Sequence, residues 1–158
     1  MAEKKLFLKK SAYVACSGAS PDCAYGCTGC SACISVCPRD ALSYDGNKAV
    51  QVDEELCVGC GLCVKACPRK IISLHTAQEP FLVKCANRER GADARSVCDR
   101  SCIGCGLCSK NCPSQAVRIV DFCAVIDETA CLSCGNCVIK CPRGVIIDTR
   151  GMIRKTGK

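Results

Sequence analysis

A cysteine run that ends in proline constrains this chain more than any other feature. The pattern C-x2-C-x2-C-x3-C-P occurs four times in 158 residues and uses sixteen of the 21 cysteines. In chain order, runs 1 to 4 are Cys27, Cys30, Cys33, Cys37 with Pro38; Cys57, Cys60, Cys63, Cys67 with Pro68; Cys102, Cys105, Cys108, Cys112 with Pro113; and Cys131, Cys134, Cys137, Cys141 with Pro142. With no Trp, three Phe and three Tyr, an aromatic core is excluded. Small domains of this kind need disulfides or metals for stability, so the cysteines must supply it.

The four runs form a duplication within a duplication. Runs 1 and 2 start 30 residues apart and runs 3 and 4 start 29 apart, while the two pairs start 75 apart. Apolar stretches beside turn residues predict short strands at 41–44, 49–53, 71–74, 116–120, 124–127 and 145–147. The residues between the third and fourth cysteine of each run are predicted to start a short helix, and the proline then sets the exit turn.

Three uses of many cysteines compete: a secreted disulfide framework, zinc sites and iron–sulfur clusters. An odd number of cysteines leaves one thiol unpaired in a disulfide framework, and the apolar stretch Leu6–Leu8 is too short for an export signal. Zinc sites usually take two C-x2-C pairs separated by a longer loop. Three cysteines at a time followed by C-P, four times over, predict four [4Fe–4S] clusters.

Each cluster takes four thiolates, and in two-cluster ferredoxins the fourth cysteine of one run ligates the cluster of the other run. The predicted cofactor-binding and iron-ligating sets are Cys27, Cys30, Cys33 with Cys67; Cys57, Cys60, Cys63 with Cys37; Cys102, Cys105, Cys108 with Cys141; and Cys131, Cys134, Cys137 with Cys112. No catalytic residue is predicted, because no acid–base pair, open metal site or nucleotide-binding Gly-rich loop is evident in the sequence.

The predicted fold is α+β: two tandem bacterial-type 2[4Fe–4S] ferredoxin modules with short helices and strands and much loop. Its predicted segments are an N-terminal arm at 1–22, the first module at 23–77, a connector at 78–97, the second module at 98–149 and a basic tail at 150–158. Within the connector, the charged stretch Asn87–Asp93 is expected to form a solvated loop.

Five cysteines lie outside the runs: Cys16, Cys23, Cys85, Cys98 and Cys123. Cys23 and Cys98 each precede a run by four residues, which creates the spacing of radical S-adenosylmethionine enzymes. Those enzymes need a barrel of roughly two hundred residues, for which this chain has no room. The five are either small buried hydrophobes or extra or alternative ligands. His75, the only histidine, is expected at a strand end with a surface or packing role.

The formal net charge of +7 does not indicate a nucleic-acid partner. Sixteen thiolates and four oxidised cluster cores together contribute about −8, so the loaded protein is close to neutral. No basic block or set of stacking aromatics accompanies the charge, and nucleic-acid binding is not expected. No stretch approaches the roughly 18–20 apolar residues of a membrane span. The chain is therefore expected to be soluble and cytoplasmic, peripheral to a membrane only through a partner.

Outside the shared cluster motifs, the chain resembles the ferredoxin region of the B subunit of the Rnf electron-transport complex. The matching stretches, which span most of residues 14–147, are Val14–Gly18, Cys23–Cys27, Lys84–Cys85 with Val97–Cys98, and Cys102–Gly106. The resemblance implies a relay that exchanges electrons with ferredoxin and a flavoprotein. The Rnf component has an N-terminal membrane helix and an upstream four-cysteine cluster domain, so this chain is expected to be either a fragment of such a component or a soluble relative that serves another redox enzyme.

The sequence favours an electron-transfer subunit that has no catalytic site of its own. It is expected to relay single electrons through four clusters between a flavin- or metal-containing oxidoreductase and a ferredoxin-type carrier. A free-standing soluble carrier is the alternative, although one or two clusters suffice for that role and four in line span a distance. The stretches Lys4–Lys10 and Arg150–Lys155 mix charged and apolar residues and are either disordered ends or docking arms.

Overall fold

The computed structural model describes residues 8–18, 20, 22–44, 46 and 49–153, where the chain forms eight short strands and five short helices. The strands are β1 (Lys10–Val14), β2 (Leu42–Ser43), β3 (Gln51–Val52), β4 (Ile72–Thr76), β5 (Phe81–Val83), β6 (Val117–Val120), β7 (Cys123–Ile126) and β8 (Ile146–Asp148). The helices are α1 (Ala32–Ser35), α2 (Leu62–Ala66), α3 (Gly91–Val97), α4 (Leu107–Lys110) and α5 (Asn136–Lys140). The fold is therefore the predicted α+β arrangement of small elements. Parts of both predicted arms, at 1–7 and 154–158, lie outside this description.

Four of the helices carry the third cysteine of a run in their first turn. α1, α2, α4 and α5 each begin one residue before that cysteine, so they start earlier than the sequence predicted. The residue before each helix is left-handed; before α2 it is Gly61, with φ of 78°. This residue turns the chain sharply, which lets the helix start at once. The fourth cysteine then follows the helix, as Cys67 follows α2.

Two hairpins form where the sequence predicted pairs of strands. β2 pairs antiparallel with β3, and β6 pairs antiparallel with β7. The first hairpin has only two residues in each strand, whereas the second has four. Each hairpin lies between the two runs of one module.

Two further strands precede the runs that they help to enclose. β1 pairs with β4 from Lys10 opposite Thr76 to Val14 opposite Ile72. β5 pairs in the same way with β8. β1 falls in the segment predicted as an arm and β5 in the predicted connector, so each pair of runs is closed by a strand that comes before it. A Cβ on Gly59 would lie 2.6 Å from the Lys10 backbone oxygen, so this glycine permits the close approach of β1 to run 2.

His75 is the penultimate residue of β4, next to the strand end where the sequence predicted it. Its side chain is buried, and its ring stands edge-on to Tyr13 with the ring centroids 5.7 Å apart. Its Nε2 atom is 3.7 Å from the Glu54 carboxylate. His75 therefore packs within the first module, which agrees with the packing role and not with a surface role.

The charged stretch of the connector is only in part the solvated loop that the sequence predicted. The Asn87 side chain is 1% exposed, and its Oδ1 atom accepts the Glu89 N–H at 2.7 Å. α3 follows directly and buries Ala94 completely. Arg88 and Arg90 remain exposed. The arginines are thus solvated as predicted, whereas Asn87 is buried and the last residues of the stretch belong to α3.

The apolar core is divided between the two modules, and thiols are part of both halves. Val14 and Ile72 are buried in the first half, and Val145 and Ile146 in the second. Buried cysteines line each half beside these aliphatic side chains. In the part of the chain that the structure describes, no helix is long and apolar enough to cross a membrane.

Candidate metal centres

The structure gathers predicted ligands around three similar cavities. Each is lined by the first three cysteines of one run and the fourth cysteine of the paired run. The thiols are Cys27, Cys30, Cys33 and Cys67 in the first cavity; Cys57, Cys60, Cys63 and Cys37 in the second; and Cys102, Cys105, Cys108 and Cys141 in the third. The volume free of protein atoms, including the space at the cavity openings, is ≈ 350, ≈ 360 and ≈ 300 Å³. Their similar size and lining indicate the same occupant in all three.

The thiols of run 4 are also close neighbours. The pKa of the Cys137 thiol is raised first by its burial and to a smaller extent by the nearby thiolate charges of Cys131 and Cys134. Cys112, the predicted fourth member, directly follows Asn111, whose carbonyl oxygen accepts the Asn136 side-chain N–H at 3.3 Å. This bond holds the start of α5 against the end of run 3.

The second and third cysteines of each run differ in exposure. Cys30, Cys60, Cys105 and Cys134 are exposed, whereas Cys33, Cys63, Cys108 and Cys137 are buried in the first turns of the helices. Each site therefore has one thiol at the surface and one in the core.

Burial raises the pKa of the inner thiols. The pKa of Cys108 is raised to about 11 and that of Cys137 to about 12, first because burial disfavours the charged thiolate. The pKa of Cys33 and that of Cys63 are raised for the same first reason. Thiolate is the form that binds metal, so a bound cation must provide the charge that keeps these groups deprotonated.

Backbone N–H groups are directed at several of the sulfurs. Ala12 in β1 donates to Cys57 Sγ at 3.3 Å, and Ala41 donates to Cys37 Sγ at 3.4 Å. Such bonds stabilise negative charge on sulfur and influence the reduction potential of a cluster. The sequence did not predict the contribution of β1. The alternation of Ser11, Ala12, Tyr13 and Val14 could have revealed a strand, but not that its partner is β4.

Cys123, one of the five cysteines outside the runs, lies between two other thiols. Its Sγ lies 3.4 Å from the Cys85 carbonyl oxygen, and its single S–H proton is shared in hydrogen bonds with the sulfurs of Cys85 and Cys102. The hydrogen bonds from Cys123 to these two sulfurs are the first cause that lowers the pKa of Cys85 to about 7 and that of Cys102 to about 6. They also raise the pKa of Cys123 itself, because that proton is shared with both sulfurs.

The donor sets fit iron–sulfur clusters. All four donors in each of the three cavities are thiols, which are the ligands that [4Fe–4S] clusters take. Aliphatic residues such as Ile72 and Ile146 cover the inner side of the cavities. Among the described residues, no group of three or more His, Cys, Asp or Glu side chains is close enough to hold a single metal ion. In each cavity the four thiols surround an empty volume instead of a single point, which is the arrangement that a cubic iron–sulfur cluster needs.

Family models give the same assignment. Three models, each described as a 4Fe-4S dicluster domain, match residues 26–71, 49–113 and 101–146. The first and third each cover one pair of runs, and the second overlaps both. The chain therefore contains 4Fe–4S dicluster domains, and [4Fe–4S] clusters are its cofactors.

Two curated relatives cover most of the chain. The B subunit of the Na(+)-translocating ferredoxin:NAD(+) oxidoreductase complex of Acetobacterium woodii is 42% identical over 70% of this chain and 33% of its own length. The B subunit of the proton-translocating ferredoxin:NAD(+) oxidoreductase complex of Clostridium ljungdahlii is 39% identical over 71% of this chain and 39% of its own length. The chain thus spans a third to two fifths of these relatives.

A solved structure also aligns with this chain, but loosely. It is a chain of the formate dehydrogenase–heterodisulfide reductase–formylmethanofuran dehydrogenase complex from Methanospirillum hungatei, with 21% identity and a TM-score of 0.32. The alignment covers 78% of this chain and 52% of the other. At this identity and score, the alignment identifies neither a family nor a function.

Proposed function

We propose that this chain relays single electrons as a subunit of a larger redox complex. The proposal rests on two findings: the chain belongs to the 4Fe–4S dicluster ferredoxins, and it resembles the ferredoxin region of the Rnf B subunit. One side of the relay is a flavin- or metal-containing oxidoreductase, and the other is a ferredoxin-type carrier. The observation that supports this most is the arrangement of thiols around three similar cavities, each with one exposed cysteine. The chain itself needs no catalytic residues for this role.

The sixteen cysteines of the runs are the proposed ligands of four [4Fe–4S] clusters, in the exchanged sets given by the sequence. Each bound cluster supplies a site that gains or loses one electron at a time. The thiolates hold it, the N–H groups of Ala12 and Ala41 bind their sulfurs, and Ile72 and Ile146 exclude water from the inner side. The exposed cysteine of each run gives an electron a short path to the surface.

The proposed ends of the relay are the centres of runs 2 and 4. The residue after the first cysteine is apolar and highly exposed in both runs: Val58 is 58% exposed and Leu132 is 69% exposed. At the same position run 1 has the polar Thr28, and run 3 has Ile103, which is only half-buried. Exposed apolar side chains beside a surface thiol are suited to docking a redox partner.

The relatives favour a subunit over a free-standing carrier. Their names describe parts of multi-subunit complexes that use ferredoxin and NAD(+). Because this chain covers at most two fifths of those two relatives, it is also consistent with a portion of such a B subunit. Whether NAD(+) or ion movement is involved depends on other subunits and is not proposed for this chain.

Anaerobic isolation of the tagged chain from its own cells tests the subunit role. We expect a flavin- or metal-containing protein to be retained with it at a fixed ratio, and reduced ferredoxin to bleach the visible absorbance of its clusters. A chain that elutes alone, with its clusters loaded and reducible, would favour the free-standing carrier. A chain that contains no reducible clusters would refute electron transfer altogether.

Two substitutions test the proposed ends. Val58→Glu and Leu132→Glu should each slow electron exchange with one partner and leave iron content unchanged, because they put a charge on an apolar docking surface. Ile147→Glu is the matched control, since Ile147 is an exposed aliphatic residue of β8 at 38% exposure. Equal exchange rates in all three variants would show that the partners dock elsewhere.

A further inference from the structure

Four of the five cysteines outside the runs form two corresponding pairs. Cys16 and Cys23 precede run 1, and Cys85 and Cys98 precede run 3, with Cys23 and Cys98 each four residues before the run. The N–H of Cys102, the first cysteine of run 3, donates to Cys85 Sγ at 3.2 Å. The N–H of the first cysteine of run 1 donates to the Cys16 thiol in the same way. The duplication has therefore kept the same contact in both modules.

The two pairs also contact each other across the junction of the modules. Gly18 lies two residues after Cys16, and a Cβ built on it is 3.5 Å from Cys98 Sγ. Asn87 lies two residues after Cys85, and its side-chain N–H is directed at Cys23 Sγ, 3.8 Å away. Equivalent positions thus make equivalent contacts in opposite directions. The residue two positions after Cys16 and the residue two positions after Cys85 thus each lie beside a cysteine of the other pair.

The spacing within the first pair fits a cluster. Cys16 Sγ and Cys23 Sγ each lie 3.5 Å from a Cβ built on Gly26, so the two sulfurs are at most about 7 Å apart. Between these two cysteines, the Ser20 hydroxyl donates to the Val97 carbonyl oxygen of α3, which is a contact with the segment before run 3.

Positive charge is available beside the four thiols. Lys84 is half-buried and lies within electrostatic range of the Cys16 thiol. The Arg143 guanidinium donates to the Cys98 carbonyl oxygen at 2.8 Å and to the Ser101 carbonyl oxygen at 3.3 Å. Both cations would offset the negative charge of four thiolates.

We propose that Cys16, Cys23, Cys85 and Cys98 hold a fifth [4Fe–4S] cluster at the junction of the two modules. All four donors are thiols, two from each module, and the donor chemistry is that of the other four sites. Cys123 is not part of this set, because its thiol is hydrogen-bonded to the sulfurs of Cys85 and Cys102. The site stands on these contacts alone, whereas its use as a bridge depends on the electron-transfer function proposed above.

The position of this centre would join the two halves of the relay. Cys16 accepts an N–H from Cys27, a proposed ligand in run 1, and Cys85 accepts one from Cys102, a proposed ligand in run 3. A single electron that leaves the centre of run 1 could cross to the centre of run 3 through these two hydrogen bonds, with no proton or bond exchanged. Electrons would then pass in order through the centres of run 2 and run 1, the junction, and the centres of run 3 and run 4.

Metal analysis of the full chain tests the proposal. Anaerobically isolated protein should contain about twenty iron and twenty sulfide per chain, four of each for every cluster. The double variant Cys16→Ser, Cys98→Ser takes one thiol from each module and should fall to about sixteen of each, with a Mössbauer spectrum that still shows four [4Fe–4S] clusters. Cys123→Ser is the control and should keep about twenty.

Other results would overturn the proposal. They are about sixteen iron in the unaltered chain, zinc in place of the additional iron, or a disulfide between any of the four cysteines in the isolated protein. If the double variant fails to fold, the iron content of the single variant Cys23→Ser and of the unaltered chain still tests the proposal. Fewer than sixteen iron in the unaltered chain would instead count against the four clusters of the proposed function, so the two failures are distinguishable.

Discussion

Substitution of Gly59 by alanine tests how β1 supports the second centre. Gly59 has φ of +68°, and an added Cβ would lie 2.6 Å from the Lys10 backbone oxygen and 2.7 Å from the Lys10 Cβ. Gly61 is the matched control in the same run: its φ is +78°, but the nearest atom to an added Cβ is Leu74 Cδ1 at 3.7 Å. The two variants therefore share the backbone strain and differ in the collision with β1.

The expected difference in stability follows from these contacts. The left-handed conformation costs an alanine about 1–2 kcal/mol at either position. The collision at Gly59 involves backbone, so β1 must move, which adds about 1–3 kcal/mol. That movement also separates the Ala12 N–H from Cys57 Sγ, and losing this bond costs about 0.5–1.5 kcal/mol. Gly59→Ala should thus destabilise the protein by about 1.5–4.5 kcal/mol more than Gly61→Ala.

The assay is the rate at which the visible absorbance of the clusters is lost on anaerobic heating. A barrier lowered by about 2 kcal/mol speeds this loss about thirtyfold, if the full cost is felt in the transition state. Removing an N–H donor from a ligand sulfur should also shift the reduction potential of the run 2 centre to a more negative value, because the reduced cluster carries more negative charge. Gly61→Ala should leave that potential unchanged.

The second module provides an independent pair. A Cβ on Gly104 would lie 2.9 Å from the Phe122 backbone oxygen, whereas one on Gly106 would meet no described atom within 4 Å. Gly104→Ala should therefore lose its clusters faster than Gly106→Ala. Equal rates within both pairs would refute the idea that close backbone packing against the runs stabilises the centres.

Three further predictions concern the metals and the junction. Complete removal of iron should leave the chain largely disordered, because metal binding is coupled to folding; native-like far-UV dichroism of the apoprotein would contradict this. Cys67→Ser should damage the centre of run 1 and spare that of run 2, as EPR of the reduced protein can resolve; damage to run 2 would refute ligand exchange. Asn87→Asp should cost about 1–3 kcal/mol, because it replaces the N–H donor that faces Cys23 with a carboxylate. Thermal unfolding that matches the exposed control Arg88→Gln would refute a role for Asn87 at the junction.

The sequence predicted the parts of the fold that depend on local spacing. The distance between cysteines within a run determines the turn and the helix that follows, so the four runs and the hairpins between them were predicted correctly in type and order. The exact start of the helices was missed, because it depends on a left-handed residue. Gly61 could have indicated it, but Ser31 has the same role with φ of 60° and is not a residue that predicts it.

The parts that depend on distant pairing could not be predicted. β1 pairs with β4 across some sixty residues, and neither strand has enough length or alternation to identify the other. The burial of His75 and Asn87 follows from the same cause, since each polar side chain is covered by segments far away in the sequence. The candidate ligand sets required no such knowledge, because the exchange of the fourth cysteine is a property of the run itself.

The size of the elements explains why thiols had to dominate this sequence. Helices of four or five residues and two-stranded sheets are not stable alone in water. Each proposed centre ties a tight turn, a helix and the end of the paired run together through four bonds, which apolar side chains in so small a module could not replace. The same reasoning applies to the junction, where no described strand of one module pairs with a strand of the other. Four thiols placed by corresponding contacts from both modules give this junction the same kind of support that the runs give to each module.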